Sequence, residues 1–163
     1  MITVYQNGEL HFQNKIYKCA IGKNGIKKNK LEGDGSTPKG IFSLGPLYYR
    51  SDRIKKLKTY FKAIPIEKNM FWSDCPQSKY YNKLIKFKDS SFESLYKINN
   101  TYDIILVINY NIEPVIKGKG SAIFIHLAKK DFSPTSGCIA INKRCILEIL
   151  EKLNTTDKIK IGD

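Results

Sequence analysis

Short segments with the pattern of β-strands recur along this chain, and they constrain its fold more than any other feature. Residues 10–21 alternate apolar and polar side chains, and Asn7-Gly8 before them is a typical hairpin turn. Further strands are predicted at residues 41–44, 102–109, 121–127, 138–141 and 158–161. Strands that are this short and numerous favour two packed sheets or one closed sheet.

Helical periodicity is clear in one segment only. Asn142 is a typical N-cap residue, and the apolar residues after it follow the spacing of one helix face, at Ile146, Ile149, Leu150 and Leu153. Residues 51–62 fit either a short helix or an irregular connection. We therefore predict a mainly β fold, a sandwich or barrel, with one or two short helices.

The length and composition indicate a single domain over residues 1–163. A chain of 163 residues buries a core without disulfide support, and 42% hydrophobic with 26% charged residues is typical of a globular protein. The longest apolar runs, such as residues 104–108, are far shorter than the roughly 20 residues of a transmembrane helix. The first residues lack the basic and apolar regions of a secretory signal, so no export signal is expected.

A net charge of +13 makes polyanions candidate partners. Only three of the 28 basic residues are arginines, whose planar fork suits phosphates and bases, and interleaved stacking aromatics are not evident. We therefore expect a solvated lysine surface without specific nucleic-acid binding. A basic polyanion-binding module is kept as a second function class, and a steep loss of affinity with salt would reveal it.

The four cysteines do not suggest a metal site. None forms a CxxC pair, whereas zinc sites need closely spaced couples. Cys19 lies in an alternating stretch and Cys145 in the predicted helix, so both are expected to be small core residues.

The candidates for chemistry are His126 and Cys138. An apolar strand ends in the histidine, and the cysteine follows in the turn Ser136-Gly137-Cys138. A thiol reacts as the thiolate, and an imidazole is one of the few groups that accept its proton near neutral pH. Glycine permits a tight turn that directs the N–H groups of Gly137 and Cys138 at one point, where an oxyanion would form. The alternative is a packed thiol beside a satisfied core histidine.

Two separated motifs resemble the L,D-transpeptidase catalytic domain, also called the YkuD-like domain. One is a histidine followed by a loop and a Ser/Thr-x-Gly-Cys turn, here His126 and residues 135–138. The other is Thr-Pro-x-Gly-x-Phe, at residues 37–42. Both occur in the family's order, and the resemblance spans roughly residues 20–163.

A bacterial subgroup of that family is also similar to this chain at residues 33–40 and in a polar, aromatic cluster formed by Trp72, Asp74, Tyr81 and Asn82. Such a cluster suits a peptide or a sugar, so we take these four residues as candidates for substrate binding. The alternative is that Trp72 and Tyr81 are core aromatics with polar tips.

The resemblance implies a β-sandwich cysteine enzyme that acts on peptidoglycan stem peptides or muropeptides and needs no metal or organic cofactor. Cys138 matches the nucleophile, His126 the general base, and the backbone of Gly137 and Cys138 the oxyanion donors. The thiol would attack the carbonyl of the third stem residue, a diamino acid, and expel D-alanine. An amine acceptor would then give a cross-link, whereas water would make the enzyme an L,D-carboxypeptidase.

Three differences from the family motif concern the site. Ser136 replaces a second histidine, so Ser136, Thr135 or a backbone carbonyl must orient the catalytic groups. Ala140 replaces a frequent arginine, which removes a cation near the oxyanion. The loop between His126 and Cys138 is short. These differences bear on transpeptidation more than on formation of the acyl-enzyme.

The expected location follows from two opposing observations. The implied substrate belongs to the periplasm or cell envelope, whereas the absence of an export signal fits an enzyme that acts on recycled muropeptides in the cytoplasm. The sequence carries no indication of the oligomeric state.

Overall fold

A closed β-barrel forms the body of the protein, and the computed structural model describes all residues from 1 to 163. The elements in chain order are β1 (Ile2–Val4), β2 (Glu9–Phe12), β3 (Lys15–Ala20), β4 (Ile26–Lys27), β5 (Thr37–Pro38), β6 (Gly40–Tyr49), β7 (Ala63–Pro65), β8 (Phe71–Ser73), β9 (Leu84–Ile85), β10 (Phe92–Ser94), β11 (Ile104–Ile108), β12 (Phe124–Leu127), β13 (Ile139–Ile141), α1 (Lys143–Lys152) and β14 (Lys158–Ile161). The predicted mainly β fold is therefore confirmed.

The barrel closes because the long strand β6 pairs on both of its edges. The strand order is β11-β12-β13-β3-β2-β1-β14-β6, and β6 then pairs antiparallel with β11. Most neighbours are antiparallel, whereas β12–β13, β1–β14 and the pairing of β7 with β6 are parallel. A separate three-stranded sheet, β10-β8-β9, comes from the middle of the chain.

Two hydrophobic cores share the barrel strands. Ile104, Leu106 and Ile108 of β11 point into a cluster of 24 buried residues that also receives one face of α1. Ile105 and Val107 point the other way, into a cluster of 10 buried residues beneath the small sheet. Side chains alternate along a strand, so a strand covered on both faces is apolar throughout. This explains the uninterrupted apolar run of residues 104–108.

Most predicted elements are found where the sequence placed them. Strand β14 has the predicted bounds, and α1 begins after Asn142, whose side chain accepts a hydrogen bond from the Arg144 N–H. Residues 51–62 form turns and irregular backbone rather than a helix. The strands of the small sheet were not predicted, because each has only two or three residues. No helix in the structure has both the length and the apolar character needed to cross a membrane.

Helix α1 is attached to the larger core through its buried face, which makes Leu150 a test of the packing. Leu150 is fully buried, whereas Leu147 on the same helix is only partly buried. We expect Leu150→Ala to lower the free energy of unfolding by about 2–5 kcal/mol, because the cavity is sealed within the core. Leu147→Ala is the matched control and should cost less. Urea unfolding of both variants measures the difference, and equal losses would contradict this packing.

Candidate active site

His126 and Cys138 are brought together by the parallel pairing of β12 and β13. Ile125 pairs with Ile139, and His126 pairs with Ala140, so Cys138 directly precedes the paired residues. Ile125 and Ile139 belong to the larger core, which leaves His126 and Cys138 on the opposite face. Both side chains line one cavity of about 400 Å³. The sequence therefore correctly placed the histidine on the strand beside the cysteine.

The thiol of Cys138 is held by backbone groups of the neighbouring strand. Its Sγ donates to the Ala122 carbonyl oxygen at 3.2 Å and lies 3.4 Å from the Phe124 N–H, from which it accepts. The residue is only 9% exposed. Burial raises the pKa of Cys138 to about 12, although the Phe124 N–H acts in the opposite direction. Cys138 is therefore a protonated thiol at neutral pH in the free protein.

The imidazole of His126 has a defined tautomer. Its Nδ1 lies 3.0 Å from the Leu127 carbonyl oxygen. Because a carbonyl oxygen only accepts hydrogen bonds, Nδ1 carries the proton and Nε2 is left with a free lone pair. Burial lowers the pKa of His126 to about 4, so the ring is neutral at pH 7. The ring of Tyr102 packs against the imidazole edge to face, with the centroids 5.3 Å apart.

Thr135 fixes the turn that carries Cys138. Its hydroxyl accepts a hydrogen bond from the Gly137 N–H at 3.1 Å and donates to the Cys138 carbonyl oxygen at 2.6 Å. Gly137 has φ +145°, and a Cβ there would lie 2.8 Å from the Ser36 carbonyl oxygen, so only glycine fits. Ser136 is exposed at the cavity and forms no side-chain hydrogen bond, which leaves the Leu127 carbonyl to orient the imidazole.

The two predicted oxyanion donors differ in the structure. The Gly137 N–H is already engaged by Thr135, whereas the Cys138 N–H has no hydrogen-bond partner within the protein. Of the two predicted donors, only the Cys138 N–H is therefore free to bind a ligand oxygen.

Of the four candidate substrate-binding residues, only Asp74 lines the cavity. Trp72, Tyr81 and Asn82 are buried and bonded to other protein groups. Trp72 Nε1 donates to Asn82 Oδ1 at 2.9 Å, and the same oxygen accepts from the Ala122 N–H at 3.0 Å. Because the Ala122 carbonyl oxygen also accepts a hydrogen bond from the Cys138 thiol, this network holds the backbone segment that contacts the thiol.

Several cavity residues were not recognised in the sequence. They are Lys30, Glu32, Glu93, Lys97 and Tyr102. Glu32 Oε2 accepts hydrogen bonds from Tyr81 Oη at 2.5 Å and from Ser121 Oγ at 2.7 Å. Lys97 is paired with Glu93 at 2.9 Å. For Lys30 and Glu32, the available signal was the charged segment before the Thr-Pro-x-Gly motif. By composition, that segment is indistinguishable from a solvated lysine loop.

A comparison with protein families agrees with this geometry. The profile of YkuD, described as the L,D-transpeptidase catalytic domain, matches residues 1–161. The chain belongs to the YkuD family. A search of the curated proteins finds no match. Membership of the YkuD family supports catalysis of the L,D-transpeptidase type and a substrate related to peptidoglycan.

The buried imidazole makes the stability of this YkuD domain depend on pH. The pKa of His126 is about 4 in the folded protein, against an ordinary value of 6.5. As the pH falls between these two values, His126 becomes protonated in the unfolded chain but stays neutral in the folded protein. The free energy of unfolding therefore decreases on acidification. The loss is on the order of 3 kcal/mol.

His126→Gln should therefore show a smaller drop in the free energy of unfolding between pH 7 and pH 4 than the unchanged protein. His11→Gln, in the first hairpin, is the matched control and should retain the full drop. Denaturant unfolding at both pH values provides the measurement. The same drop in both variants would show that His126 is not the titrating group.

Proposed function

We propose that this protein catalyses acyl transfer on the peptidoglycan stem peptide, with Cys138 as nucleophile and His126 as general base. The observation that carries the proposal is that the thiol and the imidazole line one cavity, and that Nε2 of the imidazole is unprotonated and has no hydrogen-bond partner within the protein. The YkuD family supplies the class of reaction. No cofactor takes part in the proposed reaction.

The first half-reaction forms a thioacyl-enzyme. The Cys138 thiol passes its proton to His126 Nε2, and the sulfur bonds to the carbonyl carbon of the third stem residue. The carbonyl oxygen becomes negative and accepts a hydrogen bond from the Cys138 N–H. The carbon–nitrogen bond then breaks, and the imidazolium returns the proton to the departing D-alanine amine. Atoms and charge balance, because the proton taken from sulfur leaves on nitrogen.

The second half-reaction resolves the thioester. His126 accepts a proton from the incoming nucleophile, which attacks the carbonyl carbon; the carbon–sulfur bond breaks, and the imidazolium gives that proton to the departing Cys138 sulfur. A stem-peptide amine as nucleophile gives a cross-link and makes the protein an L,D-transpeptidase. Water as nucleophile gives a shortened peptide and makes it an L,D-carboxypeptidase, which is the alternative function.

Burial decides when the proton moves. The raised pKa of Cys138 and the lowered pKa of His126 both oppose formation of the thiolate and imidazolium in the empty cavity. Proton transfer therefore accompanies bond formation, when the negative charge passes from sulfur to the substrate oxygen. This arrangement protects the thiol from reaction with solvent electrophiles while no peptide is bound.

The cavity has the size and the polar groups that a stem peptide needs. A volume of about 400 Å³ lies within the ordinary range of small-molecule sites. Lysine and carboxylate groups both line it, among them Lys129 and Asp74, which suits a peptide with carboxylates and a free amine. We assign substrate contact to Asp74. Trp72, Tyr81 and Asn82 act indirectly, through the backbone and carboxylate groups that they hold.

Cys138→Ala should abolish D-alanine release from a tetrapeptide muropeptide, because no other group forms the thioester. The expected loss is about 10³-fold or more, as when a nucleophile is removed from other covalent enzymes. Intact-protein mass spectrometry should find the acyl adduct on the unchanged protein and none on the variant. Chromatography of the products distinguishes a cross-linked dimer from a tripeptide.

Cys75→Ala is the matched control for that experiment, because Cys75 is also a buried free cysteine but does not line the cavity. It should retain both activity and the adduct. D-alanine release that persists in a folded Cys138→Ala protein would overturn the proposed function.

A further inference from the structure

Lys30 is a buried lysine in the wall of the Cys138 cavity. Its side chain is only 3% exposed, and it lines the cavity together with the nucleophile turn. Burying an ammonium group is costly unless it is paired. Asp34 supplies the pairing, with its Oδ1 2.8 Å from Lys30 Nζ. A buried and paired lysine beside a reactive thiol is unlike the solvated lysines of the surface.

Two glycines from the loops around the site make room for this side chain. A Cβ at Gly120 would lie 2.8 Å from Lys30 Cε, and a Cβ at Gly137 would lie 3.5 Å from Lys30 Nζ. Gly137 directly precedes the nucleophile. The ammonium group is therefore located against the turn that presents Cys138, and not at the cavity mouth.

One N–H of the ammonium group remains free. A lysine ammonium has three donors. One is given to Asp34 at 2.8 Å and a second, longer one to the Leu31 carbonyl oxygen at 3.3 Å. The third has no acceptor within the protein, although the group is buried. An unused donor of a buried cation at a cavity wall is suited to an oxygen or sulfur of a bound molecule.

Asp34 holds the lysine and remains ionised itself. Burial acts to raise the pKa of Asp34, but hydrogen bonds from the Leu31 N–H, Lys30 and the Ser36 N–H outweigh it and keep that pKa well below its ordinary value. The carboxylate is thereby fixed by the backbone of its own loop. Lys30 is held in place without giving up its third donor.

The charged groups that face Cys138 come from several parts of the fold. Lys30 and Lys97 favour the thiolate, whereas Glu93 disfavours it. The phenol of Tyr102 and the imidazole of His126 are uncharged at neutral pH, because burial raises the pKa of Tyr102 and lowers that of His126. Glu93 is paired with Lys97, so these two charges largely offset each other.

We propose that the Lys30 ammonium group stabilises the negative charge of the reaction, first on Cys138 Sγ and then on the carbonyl oxygen of the bound acyl donor. It acts beside the Cys138 N–H as the second donor, in place of the engaged Gly137 N–H. It also supplies the cation that Ala140 does not. The inference rests on the proposed role of Cys138 and names a further residue for the same reaction.

Alkylation of Cys138 tests the first part without any peptidoglycan substrate. The rate with iodoacetamide is measured at one fixed pH near neutrality, well below the raised pKa of the Cys138 thiol, and peptide mass spectrometry assigns the adduct to Cys138. We expect Lys30→Met and Lys30→Gln to lower this rate about tenfold, because loss of a nearby opposite charge raises a thiol pKa by about one unit and lowers the thiolate fraction accordingly. Lys30→Arg keeps the charge and should keep the rate. Lys28→Met, an exposed lysine outside this cavity, is the matched control.

Lys30→Gln carries the test if Lys30→Met does not fold, because the amide still donates to Asp34. The unchanged protein provides a further measurement. The alkylation rate with anionic iodoacetate, divided by the rate with neutral iodoacetamide, should be higher for Cys138 than for free cysteine. The inference is overturned if Lys30→Gln reacts as fast as Lys28→Met, if Lys30→Arg reacts as slowly as Lys30→Gln, or if Cys138 shows no preference for iodoacetate.

D-alanine release tests the second part. Loss of one oxyanion donor typically lowers kcat by about 10²-fold or more, so Lys30→Gln should lower kcat far more than it changes KM. An unchanged kcat overturns the role at the oxyanion. The two proposals fail separately. If release survives Cys138→Ala, the proposed function is wrong whatever the alkylation shows. If release needs Cys138 but neither kcat nor the alkylation rate depends on Lys30, only the inference about Lys30 is wrong.

Discussion

The parallel pairing of β12 with β13 is the constraint on which the site depends. Its register places Ile125 beside Ile139 in the larger core, and the alternation of side chains then puts His126 and Cys138 on the other face. A shift of one residue would exchange these faces, bury the imidazole among aliphatic side chains and expose the isoleucines to the second core. The burial of apolar side chains that sets the register therefore also places His126 and Cys138 on one face of the two strands.

The same burial that positions the reactive groups opposes their ionisation. It raises the pKa of Cys138 and lowers that of His126, so the resting pair is uncharged. A cation placed inside the cavity counters this effect more strongly than surface charge does, because water screens it less. Lys30 is the one buried lysine of the chain, and the other buried basic residue, Arg50, is paired with Asp52. The proposed role of Lys30 therefore depends on its position inside the cavity and not on the net charge of the chain.

The sequence was sufficient for features that depend on local pattern. Period-two alternation located β2 and β3, helical spacing and the Asn142 cap located α1, and the glycine before Cys138 indicated the tight turn. The rest depends on contacts between distant segments. In the sequence, the segment that contains Lys30 and Asp34 has the composition of a solvated loop, although the two residues are paired in the structure. The hydrogen bond from the Gly137 N–H to the Thr135 hydroxyl depends on backbone geometry. Burial of Trp72, Tyr81 and Asn82 follows from a small sheet whose strands are too short to have a period.

The second core explains why a polar site is joined to so much aromatic packing. Cys138 is itself a member of that core, and Phe124 contacts both Trp72 and Tyr102, with ring centroids 5.1 and 5.9 Å apart. Tyr102 in turn contacts the imidazole of His126. Stiff rings that pack edge to face leave each other few alternative positions. Rigid packing of this kind fixes catalytic side chains within the small tolerance that proton transfer needs. The small sheet therefore helps to hold His126 and Cys138 in place, although only Asp74 and Glu93 bring its segments to the cavity itself.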